Sequence, residues 1–477
     1  MYLPSMLFGV ENTSLLVITI VLVALIGIVL PRKQGQKGIL YSNRFNFPSN
    51  VLTGFSLFSS LFFIILAIIL PAFRPYSWEI ALSLILSIVL TFAIMLKVQR
   101  NNGISDFVSN ASQFTKILIS TTFVMFLGFV QVSVLMYLGI LFSRYFFEGS
   151  IYSILVLIVI SSGFTALLGD SSAINISDAF MGIVNFIILF SLLFIPNVLM
   201  MIGPKFPEVF IIESRLFNFE YSSDVVAYFL PVTIALMILW VWIFEKKHFN
   251  QTNSSIKNIF FSSPMIFLVL VISMILLITS EGEYRTNLDN QSSQTNNTNI
   301  SLPIMIVISF FLMGSLTKVF NLIKKFSNGV SWLSNDARES SEREILVGRL
   351  SVTVFAIFAI LFFPIIILLG ERVILLNVLF SACFLVPITA MYLLFIFWKG
   401  LTSEGLSLGI SAGIIAGIVL VIISKPLSLS EEVMIINPFL MPLISSGVTL
   451  VSGVVVSMMS VLIKKKTTKI SIPFVEQ

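Results

Sequence analysis

The sequence predicts an all-α, polytopic membrane protein that crosses the bilayer about thirteen times. Three observations carry this. Hydrophobic residues make up 57% of the 477 and charged residues only 11%, and the mean hydropathy is +1.03, so no water-soluble core could absorb the apolar surface. Apolar runs of about 20 residues, the length that spans a bilayer as a helix, recur almost from end to end. The basic residues between those runs fall mainly in alternate loops, as membrane topology requires.

Lipid offers no hydrogen bonds to the backbone, which leaves helix bundles or closed barrels. Unbroken runs such as 14–30 and 150–168 lack the polar-in, apolar-out alternation of barrel strands. The expected helical spans are 14–30, 51–70, 78–96, 116–142, 150–168, 179–202, 225–244, 258–279, 301–322, 348–370, 373–398, 405–424 and 438–463. The first run follows Glu11 rather than a basic segment and has no small-residue cleavage site after it, so it reads as a retained helix and not a secretory signal.

Of the 28 Lys and Arg residues, 20 lie on the side that holds Arg32, Lys33, Lys97, Lys246, Lys325 and the tail Lys464, Lys465 and Lys466. Seven lie opposite and Lys318 falls within a span. The basic side is expected to be cytoplasmic, which puts the N-terminus outside and the C-terminus in the cytoplasm of a cell-membrane protein. The Asn-, Ser- and Thr-rich loop 280–300 then lies outside with two sequons, at Asn290 and Asn296. A plain solvated loop gives the same pattern, and a third match at Asn250 falls on the inner side.

Several functions are disfavoured. The single Cys383 rules out an intrachain disulfide and argues against a thiolate metal site. The lone His248 sits beside Lys246 and Lys247 in a loop, the setting of a solvated residue. A net charge of +5 could suggest nucleic acid, but the basic residues are scattered between spans, and no nucleic-acid partner is expected. The spans carry no paired carboxylates, His cluster or nucleophile with a base, so the protein is not read as an enzyme.

Residues 340–352 form a charged stretch, Ser-Ser-Glu-Arg-Glu-Ile-Leu-Val-Gly-Arg-Leu-Ser-Val, ending in Gly348-Arg349 at the head of a long span. About fifty residues on come Phe397-Trp398-Lys399-Gly400 and then Gly405, Gly409, Gly413 and Gly417. In this order and spacing they resemble the sodium:solute symporter family. Gly169-Asp170-Ser171-Ser172-Ala173-Ile174-Asn175-Ile176-Ser177-Asp178-Ala179 looks like that family's Gly-rich turn leading to a Thr-Asp pair, and Ile104-Ser105-Asp106-Phe107 like its Pro-Glu-Phe segment. The resemblance runs loosely over most of the chain and is most specific from about Gly314 to Gly417. The stepped glycines share one helix face, where close helix packing is the simplest role for them.

The resemblance implies a LeuT-like five-plus-five inverted repeat with substrate and ion sites near the midplane. The repeats would cover 51–202 and 225–398, with helices 14–30, 405–424 and 438–463 outside them. It also implies a sodium site built from carbonyls of an unwound first core helix and hydroxyls of the eighth. Here the first would correspond to Ser59 and Ser60, and the eighth to Phe311-Leu312-Met313-Gly314-Ser315. Ser315 keeps its hydroxyl, whereas Gly314 has lost one, and 61–70 is a continuous apolar run without glycine. In the sixth core helix Trp240-Val241-Trp242-Ile243-Phe244 stands where the family is polar, with Pro231 placed to bend it. These changes predict a degraded sodium site, with no other cofactor, alongside an expected break in the first core helix near Ser59 and Ser60.

Lys318 lies one turn beyond Ser315, roughly 26 Å past Ser301 at 1.5 Å per residue, where the resemblance expects a small or polar side chain. It either snorkels to the cytoplasmic surface or substitutes for the coupling cation by pairing with Asp178. The first reading of function is therefore a secondary transporter of a small organic solute with a degraded sodium site. The alternatives are a non-transporting membrane scaffold or sensor and a lipid-linked oligosaccharide flippase.

Overall fold

Every backbone donor within a bilayer needs a partner from its own segment, and all the regular elements observed are helices. The computed structural model describes residues 17–25, 47–69, short pieces between 82 and 94, 107, 110–146, 151–169, 171–193, 224–243, 301–327, 342–370, 372–424 and 438–470. Predicted spans 258–279 and most of 78–96 lie outside the described residues, as do His248, the loop 280–300 and both chain ends.

After the helical stretch 17–25, helix α1 (Phe47–Ile69) carries Pro48 in its opening turn, where no intrahelical N–H is required. Ser112 caps α2 (Gln113–Met125), its hydroxyl accepting the Thr115 N–H at 3.2 Å. A π-helical segment, π1 (Phe126–Gln131), then leads into α3 (Val132–Phe146). Helices α4 (Ile151–Leu168), α5 (Ser171–Leu193), α6 (Asp224–Ile243) and α7 (Ser301–Ser327) follow. Pro231 lies inside α6 without ending it.

The predicted span 348–370 is two helices, α8 (Glu342–Leu361) and α9 (Phe363–Leu369), meeting at 58°. Pro364 causes the break, because it has no N–H to give the Ile360 carbonyl and its ring would crowd that turn. Gly370, at φ +55, closes α9 by donating its N–H to the Ile366 carbonyl at 3.0 Å. Beyond it run α10 (Arg372–Phe380), the second π segment π2 (Ser381–Leu385) and α11 (Val386–Phe397). Pro387, lacking the N–H that would bond Cys383, sits just past π2. The last pair is α12 (Ser403–Ser424) and α13 (Leu440–Ile470).

Five helices among the described residues are long and apolar enough to cross a membrane, and the bent α8–α9 pair makes a sixth. Shorter apolar stretches in α1, α4, α5 and α6 join them to make a multi-pass membrane protein. Helix α7 is the hub: its apolar window is 94% buried, and it packs on α1, α2, α3, α4, α5 and α8. By contrast, the windows of α12 and α13 are 33% and 22% buried, which leaves their apolar outer faces for lipid.

The stepped glycines of α12 hold the peripheral pair in place. A Cβ on Gly405 or Gly409 would run into Gly453 of α13 and its neighbours, one on Gly413 into Thr449 and Pro387, and one on Gly417 into the Cys383 backbone at 2.6 Å. Packing is thus the role they serve here. Gly447 of α13 has nothing within 4 Å of the same point. Gly417→Ala should therefore destabilise the protein by about 1–3 kcal/mol, whereas Gly447→Ala should leave its melting temperature in detergent unchanged or raise it. Equal effects of the two substitutions would contradict this packing.

Candidate functional site

Three helices meet where the sequence places its candidate residues: α1 carries Ser59 and Ser60, α5 carries Asp178, and α7 carries Phe311, Ser315 and Lys318. Small residues set their spacing. A Cβ on Gly314 would come 2.6 Å from Ser59 Oγ and 2.9 Å from the Ser59 carbonyl. A Cβ on Gly182 would collide with the Phe55 carbonyl. Helix α1 is thus held against α7 on one side and α5 on the other at a distance only glycine permits. Because Phe311 meets Phe62 while Gly314 meets Ser59, α1 and α7 run in opposite directions.

The expected break in α1 is absent. The helix is continuous from Phe47 to Ile69, through Ser59 and Ser60. The physical reason is in the run that follows, which has no glycine and buries nearly every side chain from Leu57 to Ile68, so unwinding would strip hydrogen bonds without freeing a strained residue. Ser60 does not face Ser315: its hydroxyl donates to the Ser56 carbonyl one turn back, at 2.8 Å. Ser59 Oγ reaches across to the Phe310 carbonyl at 3.4 Å. An aromatic cluster adjoins Ser59. Phe311 stacks on Phe62 at 4.3 Å and meets Phe58 edge-on at 5.0 Å, and Phe63 extends the cluster to Phe142 at 5.6 Å.

These contacts allow a test of the sodium site that the resemblance implies. A sodium ion needs several convergent oxygens. The carbonyls of α1 and of Phe311 belong to intact helices, Ser59 is engaged with Phe310, and Gly314 brings no hydroxyl. Of the residues that the resemblance assigns to the site, Ser315 alone offers a free hydroxyl, its Oγ fully buried and without a hydrogen-bond partner among the described residues. The residues present do not fit the ion.

One turn further along α7, Lys318 is 7% exposed and so buried among the described helices. It interacts electrostatically with Asp178, which is 1% exposed, and also with the like charge of Lys325. Asp178 Oδ1 has no hydrogen-bond partner among the described residues. Nearby in sequence, Lys324 donates to the Ala166 and Leu167 carbonyls at 3.0 and 3.4 Å, a cation closing the C-terminus of α4.

Three polar side chains were not singled out from the sequence. Asn185 lies two turns beyond Asp178 on α5, fully buried, with neither amide atom paired among the described residues. Gln131, at the end of π1, donates to Asn377 of α10 at 2.7 Å, both residues fully buried. The available signal was that each is an amide inside an apolar run, where polar groups are costly.

No protein-family model matches the chain, and no curated protein matches it. Among solved structures it is similar to the substrate-bound outward-open state of a Na+-coupled sialic acid symporter. The TM-score is 0.62 and the identity 17%, over 94% of this chain and 97% of that one. The likeness shows a shared fold, the all-helical inverted-repeat transporter architecture.

Restoring the missing hydroxyl should fail for steric reasons. Gly314→Ser is expected to cost about 1–3 kcal/mol through the clash with Ser59, and sodium should not raise the melting temperature of the variant. A variant as stable as the parent and further stabilised by sodium would show that α1 can yield.

Proposed function

We propose that this chain is a secondary transporter of a small organic solute in which the Lys318 ammonium takes the place of a coupling sodium ion. The carrying observation is the enclosure of Lys318 in the most buried helix, in electrostatic contact with the buried Asp178. A charge so placed is costly unless it is compensated, and intramembrane charges concentrate on transport pathways. The fold it shares with a Na+-coupled symporter supports the same reading. In it, the repeats cover 51–202 and 225–398, the N-terminus lies outside, and the Lys318 end of α7 faces the cytoplasm.

Ion coupling then changes character. A fixed ammonium beside Asp178 supplies a positive charge there without a bound ion, and transport is uncoupled from sodium or linked to protons through these two residues. Ser315 remains as a remnant of the lost ion site.

A second reading has its own observation. The unbroken α1 and the aromatic packing of Phe58, Phe62 and Phe311 fill the region where this architecture places its solute. That arrangement favours a non-transporting scaffold or sensor built on the same fold. Uptake of labelled sugars, amino acids, vitamins and carboxylates into proteoliposomes separates the two, since the scaffold moves none of them.

Two outcomes are expected. Uptake should be unchanged when sodium is replaced by another monovalent cation, whereas strong sodium stimulation abolished by Ser315→Ala would overturn the reading. Lys318→Met should abolish uptake while the protein still inserts, because Asp178 is left uncompensated, and adding Asp178→Asn should restore it. Full activity of Lys318→Met alone would leave the ammonium no part in transport.

A further inference from the structure

Gln131 and Asn377 are 246 residues apart in sequence yet joined side chain to side chain, Gln131 Nε2 donating to Asn377 Oδ1 at 2.7 Å. Asn377 Nδ2 in turn points to the Ala67 carbonyl, at the long distance of 3.5 Å. The chain of contacts thus ties α3 and its π1 segment, α10, and the last turn of α1 together. All of it is fully buried: Gln131, Asn377 and Ala67 are each 0% exposed.

Three features separate this cluster from ordinary packing glue. First, it is incomplete. Gln131 Oε1 is buried without a hydrogen-bond partner among the described residues, although a purely structural polar network is expected to satisfy every member. Second, each amide adjoins a π-helical segment: Gln131 ends π1, and Asn377 lies four residues before π2. Such segments carry one residue too many for the α-helical ladder and can change register locally, and they are frequent where function needs movement. In π1 the Val132 N–H reaches back to the Leu127 carbonyl, and in π2 the Val386 N–H to the Ser381 carbonyl. Third, its position is opposite to that of the charge pair. Ala67 lies eight residues beyond Ser59, about 12 Å along α1. Lys318 lies the other way, because α7 runs antiparallel and Gly314 already sits at Ser59.

We infer that the Gln131–Asn377–Ala67 cluster is a latch that closes the solute path at the end of the bundle away from Lys318 and Asp178, and that it parts when this end opens. The inference rests on the transporter reading above and adds the element that gates it. Opening would swing α10 from π1 and the end of α1, with the two π segments as the flexible joints. The broken contacts are one short and one long hydrogen bond between neutral groups, which can be exchanged for water as the path hydrates.

The test uses the full chain in proteoliposomes, with Cys383→Ala removing the native thiol and Ser59→Cys as a reporter below the latch. A membrane-impermeant maleimide is applied separately to each side. Asn377→Ala should raise the labelling rate from the side away from Lys318 by up to about tenfold, the population change that losing one buried hydrogen bond gives. Labelling from the Lys318 side should not rise. Exchanging the two amides, Gln131→Asn with Asn377→Gln, keeps the combined length and should return the rate towards that of the parent.

Unchanged labelling in Asn377→Ala would overturn the latch. So would an equal rise from both sides accompanied by a lower melting temperature, since that is general loosening. Uptake measured in the same vesicles keeps the two readings apart. One-sided labelling without uptake of any solute would reject transport and leave the latch standing, whereas uptake with unaltered labelling would do the reverse.

Discussion

The fit of α1 between α5 and α7 constrains everything else at the centre of this protein. Gly314 admits the Ser59 backbone on one side and Gly182 admits the Phe55 carbonyl on the other. At such distances no side chain separates the helices, and α1 cannot unwind without pushing both neighbours apart. Lipid raises the cost further, since a broken turn would expose backbone groups that water cannot reach. The intact helix keeps its carbonyls, and the oxygens that would ring a cation in this architecture are not on offer. The phenylalanines of α1 and α7 then pack on one another between the two helices.

The proposed function links the missing ion ligands to the presence of Lys318. A bundle that binds sodium between its first and eighth core helices needs a fixed anion or many dipoles there, and those dipoles are engaged in α1 and α7. Asp178 is retained on α5, fully enclosed. An isolated carboxylate in that position would be untenable as a charge. An ammonium from α7 supplies compensation from within the chain, at a level along the bundle where Lys324 and Lys325 already place positive charge. In the proposed reading the carboxylate and the ammonium account for each other.

Much of this was legible in the sequence. The apolar runs and loop charges announced a helical membrane bundle, and the four-residue step from Gly405 to Gly417 announced a packed face, which the contacts with Gly453, Thr449 and Cys383 supply. What misled was the family pattern laid over residues that did not share it. Ser59 and Ser60 suggested a break by correspondence alone, while the glycine-free run beyond them already pointed to an intact helix. Phe311 stands at an ion site by resemblance alone, and its ring joins the aromatic cluster. The bend at Phe362 was readable from Pro364 and was passed over inside a long apolar run. The π segments were not readable at all, since a single extra residue leaves no mark on a hydrophobic pattern without periodicity.

The two ends of the bundle are closed by different chemistry, and the difference bears on direction. At one end lie the buried Lys318 and Asp178, where an ion left alone keeps its full desolvation cost. At the other lie neutral amides held by one short and one long hydrogen bond, with an acceptor left over. Water can replace those contacts at little net cost as it enters. In the proposed transporter the amide end would be the one that opens more readily, and the charged end would need either a hydrated pathway or a solute that brings its own charge. In a transporter coupled to sodium, the ion sets which side opens. Under the proposed function that bias would be carried by side chains, Lys318 and Asp178 against Gln131 and Asn377, and not by an ion gradient.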